Sequence, residues 1–255
     1  MAIEGIERSA NRTWPAAERL DGARWSLQAS GGWTRRSNSA TVYGPIASGD
    51  VSHTLSLWER WYAQRSLPTM VRTTPLTPPA LIAELDRRGY THADGALVMN
   101  RPLPPSASAE MPAPDRGDLL HRPLDDWWDV FASDHHHTID RPALEQLWTS
   151  TGLPSIYPVR RDDGLPVAVG MAVRDHRRMG IFNLRTRAHH RGRGHASALL
   201  GSLLGWAVRN GCTSAYLQVT PDNGQARSLY HRMGFEVVYE YRYRVQRTGA
   251  RHESA

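Results

Sequence analysis

Apolar positions follow a helical or a strand period over two stretches of this chain, and a segment between them follows neither. In the first stretch, residues 24–29 (RWSLQA) and 37–43 (SNSATVY) read as strands around a turn. Residues 50–65 read as a helix, with Leu55, Leu57, Trp58, Trp61 and Tyr62 crowding one side. A short strand over 69–73, a helix over 79–88 stopped by Gly89, and a strand over 96–100 follow. Residues 1–11 read as a loose start. Residues 101–117 (RPLPPSASAEMPAPDRG) are rich in proline, serine and alanine, too poor in apolar side chains to fold, and read as a linker.

The second stretch opens with helices over 124–132 and 142–150. Strands over 156–160, 166–174 and 178–185 follow, separated by the polar turns Asp162-Asp163-Gly164 and Asp175-His176-Arg177. A helix beginning near 195 carries Ala196, Leu199, Leu200, Leu203, Leu204 and Ala207 as one stripe, ended by Asn210-Gly211. Next come a strand over 214–219 and a helix over 223–233 with Ala226, Leu229, Tyr230 and Met233 on one face, stopped by Gly234. Residues 235–245 alternate as one bent strand or a strand pair. Strands and helices in this alternation predict an α/β layer fold of mixed α+β type. Residues 71–90 (VRTTPLTPPALIAELDRRGY) parallel 217–235 (LQVTPDNGQARSLYHRMGF): strand, Thr-Pro, helix, glycine, aromatic. The two stretches are tandem copies of one unit, or the likeness is chance similarity of strand–turn–helix text.

Composition narrows the class. The 255 residues fit one large domain or two small ones, and 40% hydrophobic content with nine tryptophans and nine tyrosines anchors a core. The net charge is +6 and the chain has no lysine, so arginine supplies all the basic side chains other than histidine. That balance suits phosphate-bearing ligands, nucleic acid or an acidic surface without choosing among them. Cys212 is the sole cysteine, which excludes an intramolecular disulfide and a cysteine-based metal cluster, and its setting before a strand reads as a small buried residue. No window approaches the roughly 18 apolar residues of a membrane span, and no signal-peptide core is visible, so a soluble, cytoplasmic protein without membrane partners is expected. Arg185, Arg187, Arg191 and Arg193 cluster without an aromatic stacking pattern, so no nucleic-acid partner is expected. Asp134-His135-His136-His137 is a run of adjacent histidines in a polar loop, more often solvated than metal-bound, and no metal is expected.

Residues 189–204 (HHRGRGHASALLGSLL) carry the candidate chemistry. A strand leads in and a helix leads out, with Arg191, Gly192, Arg193 and Gly194 between. Glycine lets the backbone turn sharply and approach a ligand, and a helix start offers unpaired N–H donors to an anion. One favourable dipole contact supplies at most about 2 kcal/mol, whereas micromolar binding needs about 8 kcal/mol. The loop therefore holds one part of a larger ligand. A Walker loop needs Lys-Ser/Thr where His195-Ala196 stand, and a dinucleotide fingerprint needs a third glycine or alanine and an acid after the next strand, which ends Gln218-Val219-Thr220.

Downstream, Asn223-x-x-Ala226-x-x-Leu229-Tyr230-x-x-x-Gly234-Phe235 follows the strand ending Leu217-Gln218-Val219. Together with Arg191-x-x-Gly194-x-Ala196, this pattern resembles the GNAT superfamily of acetyl-CoA-dependent N-acetyltransferases. The likeness covers residues 119–246. It implies a GNAT-like fold, with a catalytic lobe over 118–246 behind the linker. It implies acetyl-CoA as cosubstrate. Arg191, Gly192, Arg193, Gly194, His195, Ala196 and Ser197 would hold the coenzyme pyrophosphate. Leu184, Arg185 and Thr186 would pair with the pantetheine arm on a strand that splays from its neighbour, and Asn223 would contact the arm. Tyr230 would sit near the sulfur as general acid. One departure stands out. Some ribosomal-protein acetyltransferases of the superfamily have a glutamate base where Gln218 stands, and glutamine takes no proton at neutral pH. The base is thus a water chain, Glu240, or unnecessary because the acceptor is already neutral.

Residues 12–100 resemble a degenerate first lobe of two-lobed bacterial GNAT proteins through Trp14-Pro15 and Arg35-Arg36-Ser37-Asn38-Ser39. Gly44-Pro45-Ile46-Ala47-Ser48-Gly49 lacks the arginine and glycine spacing of a pyrophosphate loop, and Leu85 aligns with Tyr230. The implied function is transfer of acetyl directly to an amine of a small molecule. A protein N-terminal or side-chain acetyltransferase and a non-catalytic acyl-CoA sensor remain as alternatives. Trp127 and Trp128 would border the acceptor groove, or pack as one core and one surface residue. The acceptor and the oligomeric state are not legible.

Overall fold

The first eleven residues are not loose. In the computed structural model, which describes residues 2–32, 34–105, 121–133 and 140–247, they begin helix α1 (Ala2–Thr13). Ile6 and Ala10 bury one face of it, and Glu7 is buried among them. A carboxylate in an apolar stripe hides the helical period. It is tolerated because Arg72, 65 positions away, donates Nη2–H to Oε1 at 2.7 Å, and the Tyr239 hydroxyl donates to the same oxygen. Most of the proline-rich linker and the Asp134–His137 run lie outside the described residues.

The chain divides into two compact units, residues 1–97 with 239–255, and residues 98–238. After α1 come β1 (Glu18–Asp21), β2 (Trp25–Ala29), β3 (Ala40–Val42), α2 (Val51–Ala63), β4 (Met70–Thr73), α3 (Pro79–Arg87) and β5 (Thr91–Pro102). Then follow α4 (Asp125–Ala132), α5 (Arg141–Thr149), β6 (Ser155–Ile156), β7 (Val159–Asp162), β8 (Leu165–Asp175), β9 (Arg178–Thr186), α6 (His195–Arg209), β10 (Ser214–Val219), α7 (Gly224–Arg232) and β11 (Glu236–Val245). The expected strand over 156–160 is two short strands, β6 and β7, interrupted around Pro158. Residues 35–37 form a 3₁₀ turn rather than a strand start, and residues 236–245 form one strand rather than a pair.

In the first unit, β1, β2 and β3 pair antiparallel, and β4 joins β3 in parallel after the α2 crossover, with Ala40 opposite Val71. The carboxy-terminal half of β11 returns antiparallel to β4. Leu55, Trp58 and Tyr62 of α2 and Leu81 and Leu85 of α3 form one buried cluster with Leu27, Val42 and Val71 of the strands. The helical period of 50–65 thus marks a real core face.

In the second unit, β7, β8 and β9 pair antiparallel, and β10 joins β9 in parallel after α6, with Ser214 opposite Arg178. Residues 167–173 of β8 are all buried, which requires cover on both faces of the strand. Helices α4 and α6 both pack on β8 and β9. Trp127 and Trp128 of α4 are both buried, correcting the alternative that placed one on the surface. They join Phe131, Trp148 and Tyr157 in an aromatic cluster.

The two units repeat one local design: parallel strands joined by a helix, then a second helix, a glycine and a buried aromatic. Gly89 (φ 71°) and Gly234 (φ 77°) end α3 and α7 in the left-handed conformation. Behind them, Tyr90 N–H donates to the Leu85 carbonyl and Phe235 N–H to the Tyr230 carbonyl, each at 3.0 Å. The matched capping bonds put Leu85 and Tyr230 at equivalent places. Among the described residues no helix is long and apolar enough to cross a membrane.

Candidate active site

The site begins with a fault in the β8–β9 ladder. Val169 faces Arg185 and Met171 faces Phe182, so Gly170 stands opposite two residues, Asn183 and Leu184. Asn183 has φ 52°, a left-handed conformation that asparagine tolerates better than most residues. The result is a β-bulge, which bends the strand. Two features lock it. The Gly170 carbonyl accepts the Trp127 indole N–H at 2.8 Å. A Cβ on Gly170 would also lie 3.4 Å from each of Leu184, Leu199 and Leu203, leaving no slack for a larger residue. On its other edge, β9 pairs with β10 only as far as Ile181 opposite Leu217. Leu184, Arg185 and Thr186 continue past the end of that pairing, so the parallel strands part there.

The chain then turns through residues 188–190 into the glycine loop. Gly192 (φ 78°) and Gly194 (φ 84°) are both left-handed, and a Cβ on either would meet nothing within 4 Å. Backbone handedness, not crowding, requires glycine here. Gly194 precedes α6 and supplies no side-chain cap, so the first N–H groups of α6 receive no capping acceptor from it. In the first unit, by contrast, Gly44 and Gly49 are not left-handed.

Asn223 caps α7, its Oδ1 accepting the Ala226 N–H at 3.1 Å. Tyr230 follows two turns later, packed edge-on against Phe235 with ring centroids 6.2 Å apart. Its hydroxyl makes no hydrogen bond to a described residue, and burial pushes the phenol up to about 12. The group is therefore protonated at neutral pH.

One cavity of about 640 Å³ draws these pieces together. Leu184, Arg185, Thr186, Arg191, Gly192, Gly194, His195, Ala196, Ser197, Asn223 and Tyr230 all line it. Arg193 does not. Its guanidinium is exposed and lies 3.9 Å from Asp162. Sequence reasoning missed His190, Gln225, Ala226, Leu229 and Arg232 as lining residues. The signal for Ala226 and Leu229 was their place beside Tyr230 on one helix face and in the Asn223–Phe235 pattern; His190, Gln225 and Arg232 carried none. The lining holds Arg185, Arg191 and Arg232 and no carboxylate, so its field favours an anion. The Thr186 hydroxyl in its wall is buried without a hydrogen-bond partner, a place for a polar ligand atom. Gln218 and Glu240 are not among the lining residues.

A bulged, parted strand, an arginine-bearing left-handed loop and a buried protonated tyrosine in one basic cavity suit an extended anionic acyl carrier. A family model described as "Probable histone acetyltransferase Rv0428c C-terminal" matches residues 1–244 of the chain. The chain belongs to that family. It is a GNAT-type N-acetyltransferase, and therefore an acyltransferase of a superfamily that draws its acetyl group from acetyl-CoA. The GNAT chain is 26% identical over 254 residues to the "Uncharacterized N-acetyltransferase YobR" of Bacillus subtilis (strain 168), covering 96% of this chain and 99% of that one. A GCN5-related N-acetyltransferase from Kribbella flavida superposes with a TM-score of 0.67 at 16% identity, over 96% of each chain. A tandem GNAT protein from the clavulanic acid biosynthesis pathway superposes at 0.65 with 12% identity, over 94% of this chain and 86% of that one. At such identities the likeness is one of fold, and it bears out the expected mixed α/β GNAT fold with a tandem copy.

Proposed function

We propose that this GNAT enzyme transfers acetyl from acetyl-CoA directly to a primary amine of a small molecule, in the cytoplasm, with Tyr230 as general acid. The observation that carries the reading is the shared cavity, in which the glycine loop, the parted strand and Tyr230 meet. The backbone of the loop, with N–H donors at the α6 start, and the Arg191 side chain hold the diphosphate, while the Arg193 side chain turns away from it. Residues 184–186 run beside the pantetheine arm, and Asn223 contacts it. In the reaction the amine nitrogen bonds to the acetyl carbonyl carbon and the carbon–sulfur bond breaks. Tyr230 gives its proton to the departing thiolate and recovers one from solvent. The amine loses its proton to water, since Gln218 cannot accept it. The catalytic lobe is the part from residue 118 to 246, and the first lobe holds no second coenzyme.

Tyr230→Phe tests the reading. Turnover should fall about 10²- to 10⁴-fold while acetyl-CoA affinity, read by calorimetry, stays nearly unchanged. An unaltered rate removes Tyr230 from the mechanism. A second acceptor class has its own support: the description of the matching family names a probable histone acetyltransferase. A panel of small amines set against lysine-bearing histone peptides decides between them by which one releases coenzyme thiol.

A further inference from the structure

At the rim of the coenzyme cavity stands a group of side chains, two of them lining it, that no step of the acetyl transfer uses. Asp162 ends β7, His190 precedes the loop and His195 follows it as the first residue of α6. His190 Nδ1 lies 3.4 Å from Asp162 Oδ2, and His195 Nε2 lies 3.5 Å from the same oxygen. Neither contact is a hydrogen bond: both ring nitrogens are buried without a partner. The His195 side chain is only 9% exposed. A buried imidazole nitrogen left unpaired beside a carboxylate is a costly arrangement that needs a reason.

We propose that Asp162, His190 and His195 bind a divalent zinc ion that braces the glycine loop. The three ligand atoms lie within 4.8 Å of one another. Ligands at about 2.0–2.1 Å around a tetrahedral zinc ion stand about 3.3–3.4 Å apart. Both histidine-to-aspartate separations already match that edge, and turning the two rings toward each other closes the third. Two imidazoles and one carboxylate form a borderline-soft set suited to zinc, with a fourth position left for water. Among the described residues, Arg193 also faces the carboxylate, its Nη1 3.9 Å from Asp162 Oδ2. It is 60% exposed and free to swing away. The ion would tie both ends of residues 191–194 to the β7–β8 turn, holding two left-handed glycines where an added Cβ would meet nothing within 4 Å. This departs from the sequence expectation of no metal. The spacing His190-x-x-x-x-His195 is unremarkable in the text, and Asp162 reaches it only through the fold. The proposal does not rest on the acetyl-transfer reading, and either can fail alone.

The test uses the full chain stripped of metal with a chelator and titrated with cobalt(II), a spectroscopic stand-in, and then with zinc(II). One equivalent of cobalt should give the intense visible absorption of tetrahedral coordination, and zinc should displace it. Asp162→Asn keeps the side-chain volume and should weaken binding at least about 100-fold, as should His195→Ala. If His195→Ala does not fold, Asp162→Asn carries the test alone. Hydrogen exchange over residues 188–197 should slow when zinc is bound. No tetrahedral spectrum at micromolar protein, or full-strength binding in the variants through other histidines such as 135–137, overturns the site. Unchanged exchange in the zinc-bound chain overturns the bracing role.

Discussion

Replacing Gly194 by glutamate tests the anion cradle without any knowledge of the acceptor. Gly194 has φ 84° and a Cβ there meets nothing within 4 Å. The substitution therefore leaves packing alone and costs about 1–2 kcal/mol for holding a side chain in the left-handed region. The new carboxylate would stand at the loop, about 5 Å from an anion bound at the α6 start, where two unit charges repel by about 3 kcal/mol at an effective dielectric near 20. A diphosphate carries more than one charge, so the penalty is a lower bound, and acetyl-CoA affinity should fall at least about 100-fold. Calorimetric titration with acetyl-CoA measures it directly. Gly194→Ala is the matched control: it bears the backbone cost without the charge and should lose about tenfold or less. Thermal melts establish that both variants fold. Undiminished binding by Gly194→Glu would mean that the diphosphate does not sit on this loop and that the left-handed glycines and uncapped helix start form no anion cradle. Equal losses in the two variants would refute its electrostatic half.

Glu7→Ala should destabilise the first unit by about 3–5 kcal/mol, because it leaves the fully buried Arg72 without its carboxylate; a denaturation midpoint unchanged from the parent would refute a role for the pair in docking α1. Trp127→Phe should cost about 1–3 kcal/mol by leaving the Gly170 carbonyl at the bulge unpaired, and acetyl-CoA affinity should drop with it, since the bulge aims residues 184–186. Alkaline pH should also weaken the fold. Burial raises the phenols of Tyr62, Tyr90, Tyr157 and Tyr239 above their ordinary value of 10, and Tyr230 to about 12. The folded chain keeps protons that the unfolded chain releases above pH 10, so stability is intact below pH 10 and is lost as pH rises toward 12. Urea midpoints that stay flat from pH 8 to pH 11 would refute this.

Local signals make much of the site legible in the sequence. The stripe from Leu199 to Ala207 needs only a 3.6-residue period. Gly192 and Gly194 need only the rule that glycine lets the backbone turn sharply at a helix start, whereas the cap that Asn223 supplies to α7 was not read from the sequence. Strand β10 falls on the expected residues 214–219 because its flanks, Asn210-Gly211 and the Thr-Pro turn, are themselves local. The helical period put Tyr230 on one face of α7 with Ala226 and Leu229, and all three line the cavity. Other features were decided only through space. Helix α1 was hidden because Glu7 interrupts its apolar face, and the residues that make this tolerable, Arg72 and Tyr239, lie far along the chain. The bulge at Asn183 exists because two strands slip against each other around Gly170, which no single strand's text records. Arg193 turns to Asp162 while Arg191 lines the cavity, although both sit in the same glycine run. Asp162, His190 and His195 converge only once the β7–β8 turn is folded beside the loop. Period, handedness and capping act between neighbours in sequence. Burial, register and electrostatic pairing act between neighbours in space, and only the folded chain determines which residues those are.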